Sequence, residues 1–359
     1  MIQKRRATIK DVANQAGFSV ATVSRILNGE NSFLPETQKK VWDVAHSLGY
    51  EPSASARKLR AGAEEPERTR TNLIMHILAL GSANPVGDKD IAASMHLFDW
   101  YALQQGYFTT NYQYYNLEGF RCPLLLDRLI DGAVVGTPHD DVVRSVSQKV
   151  PTVLLNVGDS HLFPELHRVN PAVEDGMREL LLMAYDLGHR NAAAIGAAEQ
   201  YYQQNSFAIR FLRKYVNLAH EIGIQLTDSH RFQPSHLNSD NHNDLMQEIT
   251  EILIPEIKSG DITLIICEDF VYSNSITMLL KEKGIRIPED VSVIGVDSSP
   301  STGESNITSA KLNWEQMFQT AIKILDDLIN HTSLPCREFR IATKLNQGVT
   351  LGPACTVRK

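Results

Sequence analysis

The chain has 359 residues and a formal net charge of −7, with 43% hydrophobic and 21% charged residues, values typical of a globular protein. No apolar run reaches about eighteen residues, and no apolar segment follows the basic start, so we expect neither a membrane span nor a secretory signal. The four cysteines are far apart and form no CxxC pair, which predicts reduced thiols in a cytoplasmic protein without a metal or cofactor.

The net charge hides a basic N-terminal segment. Residues 1–62 contain ten Lys and Arg against five Asp and Glu, whereas the rest of the chain contains 25 basic against 37 acidic residues. A basic segment joined to an acidic chain indicates a small module that binds a polyanion. The acidic remainder would repel DNA and so confine contact to this module.

Three short helices are predicted in the basic segment. Thr8 and Asp11 form a capping-box-like start, Gly17 ends the first helix, and Ser19 caps a second helix after a very short turn. A third helix starts near Pro35 and runs to residue 48. This arrangement predicts a helix-turn-helix domain whose second helix enters the major groove. The apolar positions of the three helices are Ile9, Val12, Ala13, Ala16, Val23, Ile26, Leu27, Val41, Val44, Ala45 and Leu48.

The start and outer face of the second helix hold the candidate DNA contacts. Val20 and Ala21 are small enough to approach base edges and contact thymine methyl groups, and Arg25 can reach guanine O6 and N7. The alternative is that Val20 and Ala21 merely pack and that Arg25 is a solvated surface charge. The polar and small residues that complete this predicted surface are Thr8, Ser19, Thr22, Ser24 and Asn28.

The segment "TIKDVANQAGFSVATVSRILNG", residues 8–29, closely resembles the DNA-binding signature of the lactose/galactose repressor (LacI/GalR) family. The matching elements are the T-I-x-D-V-A start, A-G-x-S and T-V-S-R-x-L-N. The resemblance continues through "LGYEPSASARKLRAG" and, more loosely, over the rest of the chain. Phe18 replaces the usual small aliphatic residue, whereas Val20-Ala21 is a pair common in the family at the positions that read bases.

Residues 51–71 predict a hinge and linker. Two helical turns from Ser53 to Leu59 are too short to be stable alone in water, so they should fold only against something else. The resemblance implies that this hinge helix forms on operator DNA and that Leu59 wedges into the minor groove. The alternative is that Leu59 anchors the linker to the body. Ser53, Ala56 and Arg60 complete the predicted DNA contacts here.

From residue 72 onward, apolar strands alternate with helical patterns, which predicts doubly wound parallel sheets. Two such units in tandem indicate two lobes with a cleft between them, where ligands bind outside the carboxyl ends of strands. The resemblance implies a body similar to a periplasmic sugar-binding protein. The predicted helices include 92–105, 175–187, 206–222, 240–258, 273–283 and 314–330.

Four residues near predicted strand and helix ends are candidate effector contacts: Arg210, Asp297, Asp175 and Glu268. Carboxylates accept hydrogen bonds from sugar hydroxyls and an arginine donates two. By resemblance, Arg210 matches the arginine that family members use to hold the effector, and Asp297 matches the cleft aspartate. The alternatives are an inter-lobe salt bridge or a helix cap. The chain departs from the usual family pattern at Glu268, Ser298, Arg213 and Lys214.

An enzymatic body is not expected. The chain contains no GxGxxG, GxxxxGK[ST], GxSxG or HExxH motif. The twelve histidines are scattered, and His189 is predicted in a loop or on the surface. The adjacent acids Glu268 and Asp269 suit a hydroxyl contact or a helix cap better than a metal site.

These observations predict a small all-α helix-turn-helix head at 1–50, a hinge and linker at 51–71, and a two-lobed α/β effector-binding and dimerisation body at 72–359. The expected protein is a homodimeric repressor that leaves operator DNA when a carbohydrate, by preference a galactoside, binds between the lobes. Two alternatives stay open: a regulator that needs a corepressor or phosphoprotein partner, and a purely sugar-binding or enzymatic body.

Overall fold

In the computed structural model of the protein, the chain divides into two compact units. One unit comprises Met1–Arg70 with Pro123–Leu129, and the other comprises Thr71–Cys122 with Ile130–Lys359. The structure describes residues 7–27, 33–48, 50, 70–79, 88–114, 122–126, 129–136, 140–156, 163–196, 211–226, 228–232, 239–300, 305–332, 334–335 and 337–355.

The head contains the three predicted helices: α1 (Ile9–Ala16), α2 (Val20–Leu27) and α3 (Pro35–Ser47). The predicted capping box is present, because Asp11 N–H donates to Thr8 Oγ1 and Thr8 N–H donates to the Asp11 carboxylate. Gly17 follows α1 at φ 75°, a left-handed conformation that glycine adopts without steric cost. The sequence prediction of these elements is confirmed.

A small apolar core holds the three helices of the head together. It contains positions predicted from the helical spacing, and each helix contributes at least two of them. Because all three helices are short, this packing rather than helix propensity stabilises the head. The buried core residues are Val12, Ala13, Ala16, Val23, Ile26, Leu27, Val41 and Ala45.

The first lobe of the body is built on a six-stranded parallel sheet in the order β11-β5-β4-β3-β1-β2. All residues of 132–136 and 152–155 are buried, so both faces of these central strands are covered and their sequences are largely apolar. Its elements, together with α5 of the first unit, are β1 (Leu73–Ala79), α4 (Asp88–Gln104), β2 (Phe108–Tyr114), α5 (Pro123–Leu126), β3 (Gly132–Gly136), α6 (Asp140–Ser147), β4 (Thr152–Leu155), β5 (His167–Ala172), α11 (Trp314–Ile329) and β11 (Glu338–Ala342).

The second lobe has its own six-stranded sheet, in the order β12-β10-β9-β8-β6-β7, parallel except for the β10–β12 pair. The chain passes between the lobes after β5, after β10 and after β11. Its elements are α7 (Val173–Asp186), β6 (Ala192–Ile195), α8 (Phe211–Ile222), β7 (Arg231–Phe232), α9 (Ser239–Ser259), β8 (Leu264–Cys267), α10 (Phe270–Glu282), β9 (Ser292–Asp297), β10 (Thr308–Lys311) and β12 (Lys344–Asn346).

The structure corrects the sequence prediction in three places. Helix α4 begins at Asp88 instead of near residue 92, and α10 begins at Phe270 instead of Ser273. His189 is fully buried rather than on the surface: its ring nitrogens lie 2.9 Å from Thr263 Oγ1 and 2.9 Å from the Gly352 carbonyl oxygen. The buried ring therefore connects Thr263, the residue before β8, to Gly352 near the C-terminus of the second lobe.

Candidate DNA-binding face and inter-lobe cleft

The start of α2 is fixed by a side-chain cap. Ser19 Oγ accepts the Thr22 N–H at 3.0 Å, and the two hydroxyl oxygens lie 2.9 Å apart. Ser19, Ala21 and Arg25 are exposed, whereas Val20, Thr22 and Ser24 are half-buried. The predicted contact residues therefore share one end and one face of α2, and the cap directs the N–H groups of its first turn outward.

Arg25 is held by a neighbouring ring while its side chain stays exposed. Its guanidinium carbon lies 5.2 Å from the centroid of the Phe33 ring, within the range of a cation–π contact. Lys40 on α3 makes a similar contact with Phe18, at 5.4 Å. The Phe33 ring restricts the orientation of the Arg25 guanidinium, so Arg25 would lose less rotamer freedom on binding a guanine.

The remaining predicted DNA contacts fall into two groups. The Thr8 hydroxyl donates to the Asp11 carboxylate at 2.7 Å, so it is already part of the α1 cap. Asn28, Ser53, Ala56, Leu59 and Arg60 lie outside the described residues. Their contacts with DNA stay predictions from the sequence.

In the second lobe, the carboxyl ends of β8, β9 and β10 bring several polar side chains together. Asp297, the last residue of β9, is 2% exposed. Its carboxylate lies 3.4 Å from Lys311 Nζ at the end of neighbouring β10 and accepts the Ser299 N–H at 3.1 Å. Burial raises the pKa of Asp297, and the Lys311 ammonium opposes that shift.

The two acids that follow β8 have different roles. Asp269 caps α10 by accepting the Val271 N–H at 3.0 Å, and it also accepts a hydrogen bond from the Ser298 hydroxyl. Burial raises the pKa of Asp269, and the nearby Asp297 and Asp90 carboxylates raise it further. Glu268, the predicted contact, is buried next to this cap. The expectation of a helix cap thus holds for Asp269.

Asp90 is a site residue that the sequence prediction missed. It lies in the first turn of α4 in the first lobe, and its carboxylate accepts a hydrogen bond from Ser299 of the second lobe. The signal was present, because α4 follows the carboxyl end of β1, where ligand contacts are expected. The contact itself joins residues 209 positions apart, a pairing that local spacing cannot predict.

Trp314 lies where the cores of the two lobes meet. It begins α11, and its indole N–H donates to the Ser298 carbonyl oxygen at 2.9 Å. The ring packs against the buried apolar residues of both lobes and lies 5.9 Å from the Phe318 ring. One aromatic side chain therefore contacts the cleft segment that carries Ser298 and Ser299.

Of the other two predicted effector residues, only Asp175 lies within the described part of the chain. Asp175 is exposed in the first turn of α7, and Arg210 lies outside the described residues, directly before α8 in the chain. Among the described residues, no group of three or more His, Cys, Asp and Glu side chains could hold a metal ion. Within the same residues, every helix is too short or too polar to cross a bilayer.

The place where the two lobes meet is thus rich in hydrogen-bond acceptors. Asp90, Asp269 and Asp297 converge from both lobes, and hydroxyl groups of the chain itself donate to the first two. Carboxylates in this arrangement suit a ligand that carries several hydroxyl donors, and Lys311 supplies a compensating donor. The arrangement disfavours a strongly anionic ligand, because a further negative charge would face three carboxyl groups.

Two family models match separate parts of the chain. The model described as bacterial regulatory proteins, lacI family, matches residues 8–53, and the periplasmic binding protein-like domain matches residues 183–351. The chain thus contains a LacI-family helix-turn-helix domain followed by a periplasmic binding protein-like domain. The first match covers the three head helices, and the second covers most of the second lobe.

Individual relatives match the chain almost from end to end. The HTH-type transcriptional repressor MelR of Bacillus subtilis is 25% identical, over 91% of this chain and 92% of its own length. The fold is similar to that of CelR in complex with cellobiose, with 20% identity, a TM-score of 0.61, and coverage of 96% and 100%. It is also similar to the lac repressor dimer bound to operator and the anti-inducer ONPF, with 21% identity, a TM-score of 0.59, and coverage of 97% and 100%.

Proposed function

We propose that this LacI-family DNA-binding regulator represses carbohydrate-utilisation genes in the cytoplasm and leaves its operator when a small sugar binds between the lobes. The observation that carries the proposal is the convergence of Asp90, Asp269 and Asp297 in the cleft of a body joined to a helix-turn-helix head. The body is proposed to bind the sugar without catalysing a reaction.

The DNA contacts proposed for the head are those on the outer face of α2. Arg25 reads a guanine in each half-site, while Ala21 and Val20 contact base edges. The hinge residues Ser53, Ala56, Leu59 and Arg60 are proposed to bind at the operator centre, with Leu59 as a minor-groove wedge. Residues 1–50, 51–71 and 72–359 are the proposed head, hinge and body.

The effector is proposed to be a neutral sugar, with a galactoside as the first candidate. Arg210, Asp297, Asp175 and Glu268 are the contacts proposed from the sequence. We propose Asp90 in addition, because its carboxylate accepts a hydrogen bond from Ser299 of the second lobe. The cellobiose bound to CelR supports a carbohydrate ligand for a body of this fold. A galactoside is the finer part of the proposal and rests on the hinge sequence.

A homodimer is proposed because one head meets half of a symmetric operator. The first lobe carries an apolar surface suited to a second copy: Trp100, Leu103 and Phe108 on α4 and β2 are 56%, 59% and 66% exposed. Contiguous exposed apolar patches mark interaction sites, and we propose that these three side chains form one. The lac repressor of similar fold was solved as a dimer bound to operator.

The test is a titration of the purified protein with DNA and sugars. A duplex selected from a random-sequence pool serves as the operator, and fluorescence anisotropy measures its binding with and without galactose, lactose, cellobiose and ribose. Release by a neutral sugar supports the proposal. Tighter operator binding on adding a sugar would instead support the alternative of a corepressor-dependent regulator. If no palindromic duplex were selected from the pool, the proposed repressor function would be refuted.

A further inference from the structure

The three segments that connect the lobes meet at the first turn of α7. This helix starts directly after β5, where the chain first leaves the first lobe. Ala310 lies near the end of β10, just before the second crossing between the lobes. Thr343 lies between β11 and β12, at the third crossing. The second and third crossings therefore lie beside the start of α7, which forms the first.

Gly176 is the point of closest approach in this cluster. A Cβ atom at this position would lie 2.1 Å from Thr343 Oγ1, 3.2 Å from Thr343 Cβ and 2.9 Å from Ala310 Cβ. Carbon atoms in contact are normally about 3.5–4.0 Å apart, so any side chain here would push two of the crossings away from α7. Glycine lets these two crossings pack directly on the backbone of α7.

Glu174, in the same turn, links the two lobes by charge. One carboxylate oxygen lies 2.7 Å from Lys214 Nζ on α8 of the second lobe, and the other contacts the guanidinium of Arg340 on β11 of the first lobe. Burial alone would raise the pKa of Glu174, but the Lys214 hydrogen bond and the Lys214 and Arg340 charges outweigh it, and the pKa is lowered. The carboxylate is therefore charged and bridges the lobes.

We infer that Gly176 and Glu174, in the first turn of α7, set the angle between the two lobes and make this turn the pivot. Gly176 acts through its close packing against Thr343 and Ala310, and Glu174 acts through its ion pair with Arg340 of the first lobe. Packed interfaces of this kind are bistable rather than continuously deformable, so a change of roughly 1 Å at the pivot is amplified farther out. If the proposed function holds, this turn transmits sugar binding from the cleft, and Glu174 and Gly176 are positioning residues that do not touch the sugar.

The experiment measures the angle directly, without any sugar. Spin labels on cysteines introduced at exposed Asp141 on α6 and Lys258 on α9 report one distance between the lobes. The native cysteines are replaced, and labelled full-length protein is diluted with unlabelled protein so that distances within one chain dominate. Pulsed electron spin resonance then gives the distance distribution.

Gly176→Ala should shift the centre of this distribution by about 1 Å or more, because the new Cβ would lie 2.9 Å from Ala310 Cβ and 3.2 Å from Thr343 Cβ as well as 2.1 Å from Thr343 Oγ1. Thr343→Ala in the same chain removes that oxygen and should move the distribution back toward wild type. The matched control is Gly132→Ala, whose Cβ would meet only side-chain ends of Leu325 and Ile329 within the first lobe. It should change stability and leave the inter-lobe distance unchanged.

A folded Gly176→Ala protein with the wild-type distribution would overturn the proposal. Should that variant fail to fold, Arg340→Gln and Lys214→Gln decide the question. Loss of the inter-lobe arm of Glu174 should broaden the distribution, whereas loss of the arm within the second lobe should not; equal behaviour of the two variants refutes the pivot. A missing sugar response would refute the proposed function and leave these distances unaffected.

Discussion

The head and the body form their candidate sites in opposite ways. In the head, the contacts proposed on α2 lie within one exposed helical face, and the cap that orients them joins residues three positions apart. In the body, Asp90 meets Ser299 across 209 positions and two lobes. A site on one helix is encoded locally and is open to solvent, whereas a cleft site exists only when two sheets have folded and closed.

This difference explains how much the sequence could predict. The ends of the first two head helices were predictable from Thr8, Gly17 and Ser19, because capping is a local interaction. Each of these caps is present. The alternating strands of the body were equally readable, because buried parallel strands are continuous apolar runs. The start of α4 was not, since its first turn lacks the apolar spacing that marks a helix.

The cleft was only partly predictable. Asp297 was identifiable as a strand end, and the structure places it at 2% exposure beside Lys311. Asp90 and the hydroxyl groups of Ser298 and Ser299 were missed because their importance depends on contacts between distant segments. His189 was placed wrongly for the same reason: its partners, Thr263 and Gly352, are 74 and 163 positions away.

The largest expected effect is the loss of the proposed dimer, while the head stays folded. Trp100→Asp places a charge in the proposed dimer surface, so we expect a monomer in sedimentation velocity. Operator affinity should fall toward the non-specific level, a loss of roughly 10³-fold or more. Leu182→Asp is the matched control, because Leu182 is an exposed leucine of α7 on the other lobe. A dimer with Trp100→Asp would show that the subunits meet elsewhere.

Next in size is a change that should separate sugar response from DNA binding. Arg210→Ala removes a charge-assisted hydrogen bond to the sugar, costing about 1.5–3 kcal/mol, or one to two decades of affinity. Operator binding should persist, giving a repressor that sugar does not release in the anisotropy titration. Arg213→Ala, three residues on and exposed, is the control. A wild-type sugar response in Arg210→Ala would exclude the residue as a contact.

The corresponding change in the head should affect base recognition alone. Arg25→Ala should weaken binding to the selected operator by about 1–3 kcal/mol and relax the preference at one symmetric pair of bases. Lys40→Ala removes the same charge from α3 and should weaken all DNA sequences alike. Equal losses on operator and random DNA for both variants would mean that Arg25 contacts phosphate only. The measurement is competition binding at fixed salt.

The smallest expected effect is a pH dependence confined to the body. Burial lowers the pKa of His76 to about 3, with the Asn111 side chain opposing the shift, so the folded protein does not take up the proton that the unfolded chain binds below its ordinary pKa. This contribution to the free energy of unfolding is fully present above the ordinary histidine pKa. It falls as the pH drops, by about 1.4 kcal/mol at pH 5.5.

Urea unfolding of the body at pH 7.5 and pH 5.5 tests this prediction. His76→Leu should remove that part of the pH dependence, whatever it does to stability itself, whereas His220→Gln at an exposed position of α8 should retain it. An unchanged difference between the two pH values in His76→Leu would show that another group is responsible. The unfolding of the head should not depend on His76 in either case.

The position of Trp314 gives the protein a fluorescent reporter of its own. The chain has three tryptophans, Trp42, Trp100 and Trp314, and replacing the first two by phenylalanine leaves one indole at the junction of the lobes. Its N–H donates to the Ser298 carbonyl oxygen, and the hydroxyl of the next residue, Ser299, donates to the carboxylate of Asp90 in the first lobe. Opening of the cleft would expose this ring to water and shift its emission to longer wavelength, so lobe motion becomes visible in an unlabelled sample and on the millisecond scale of stopped-flow mixing.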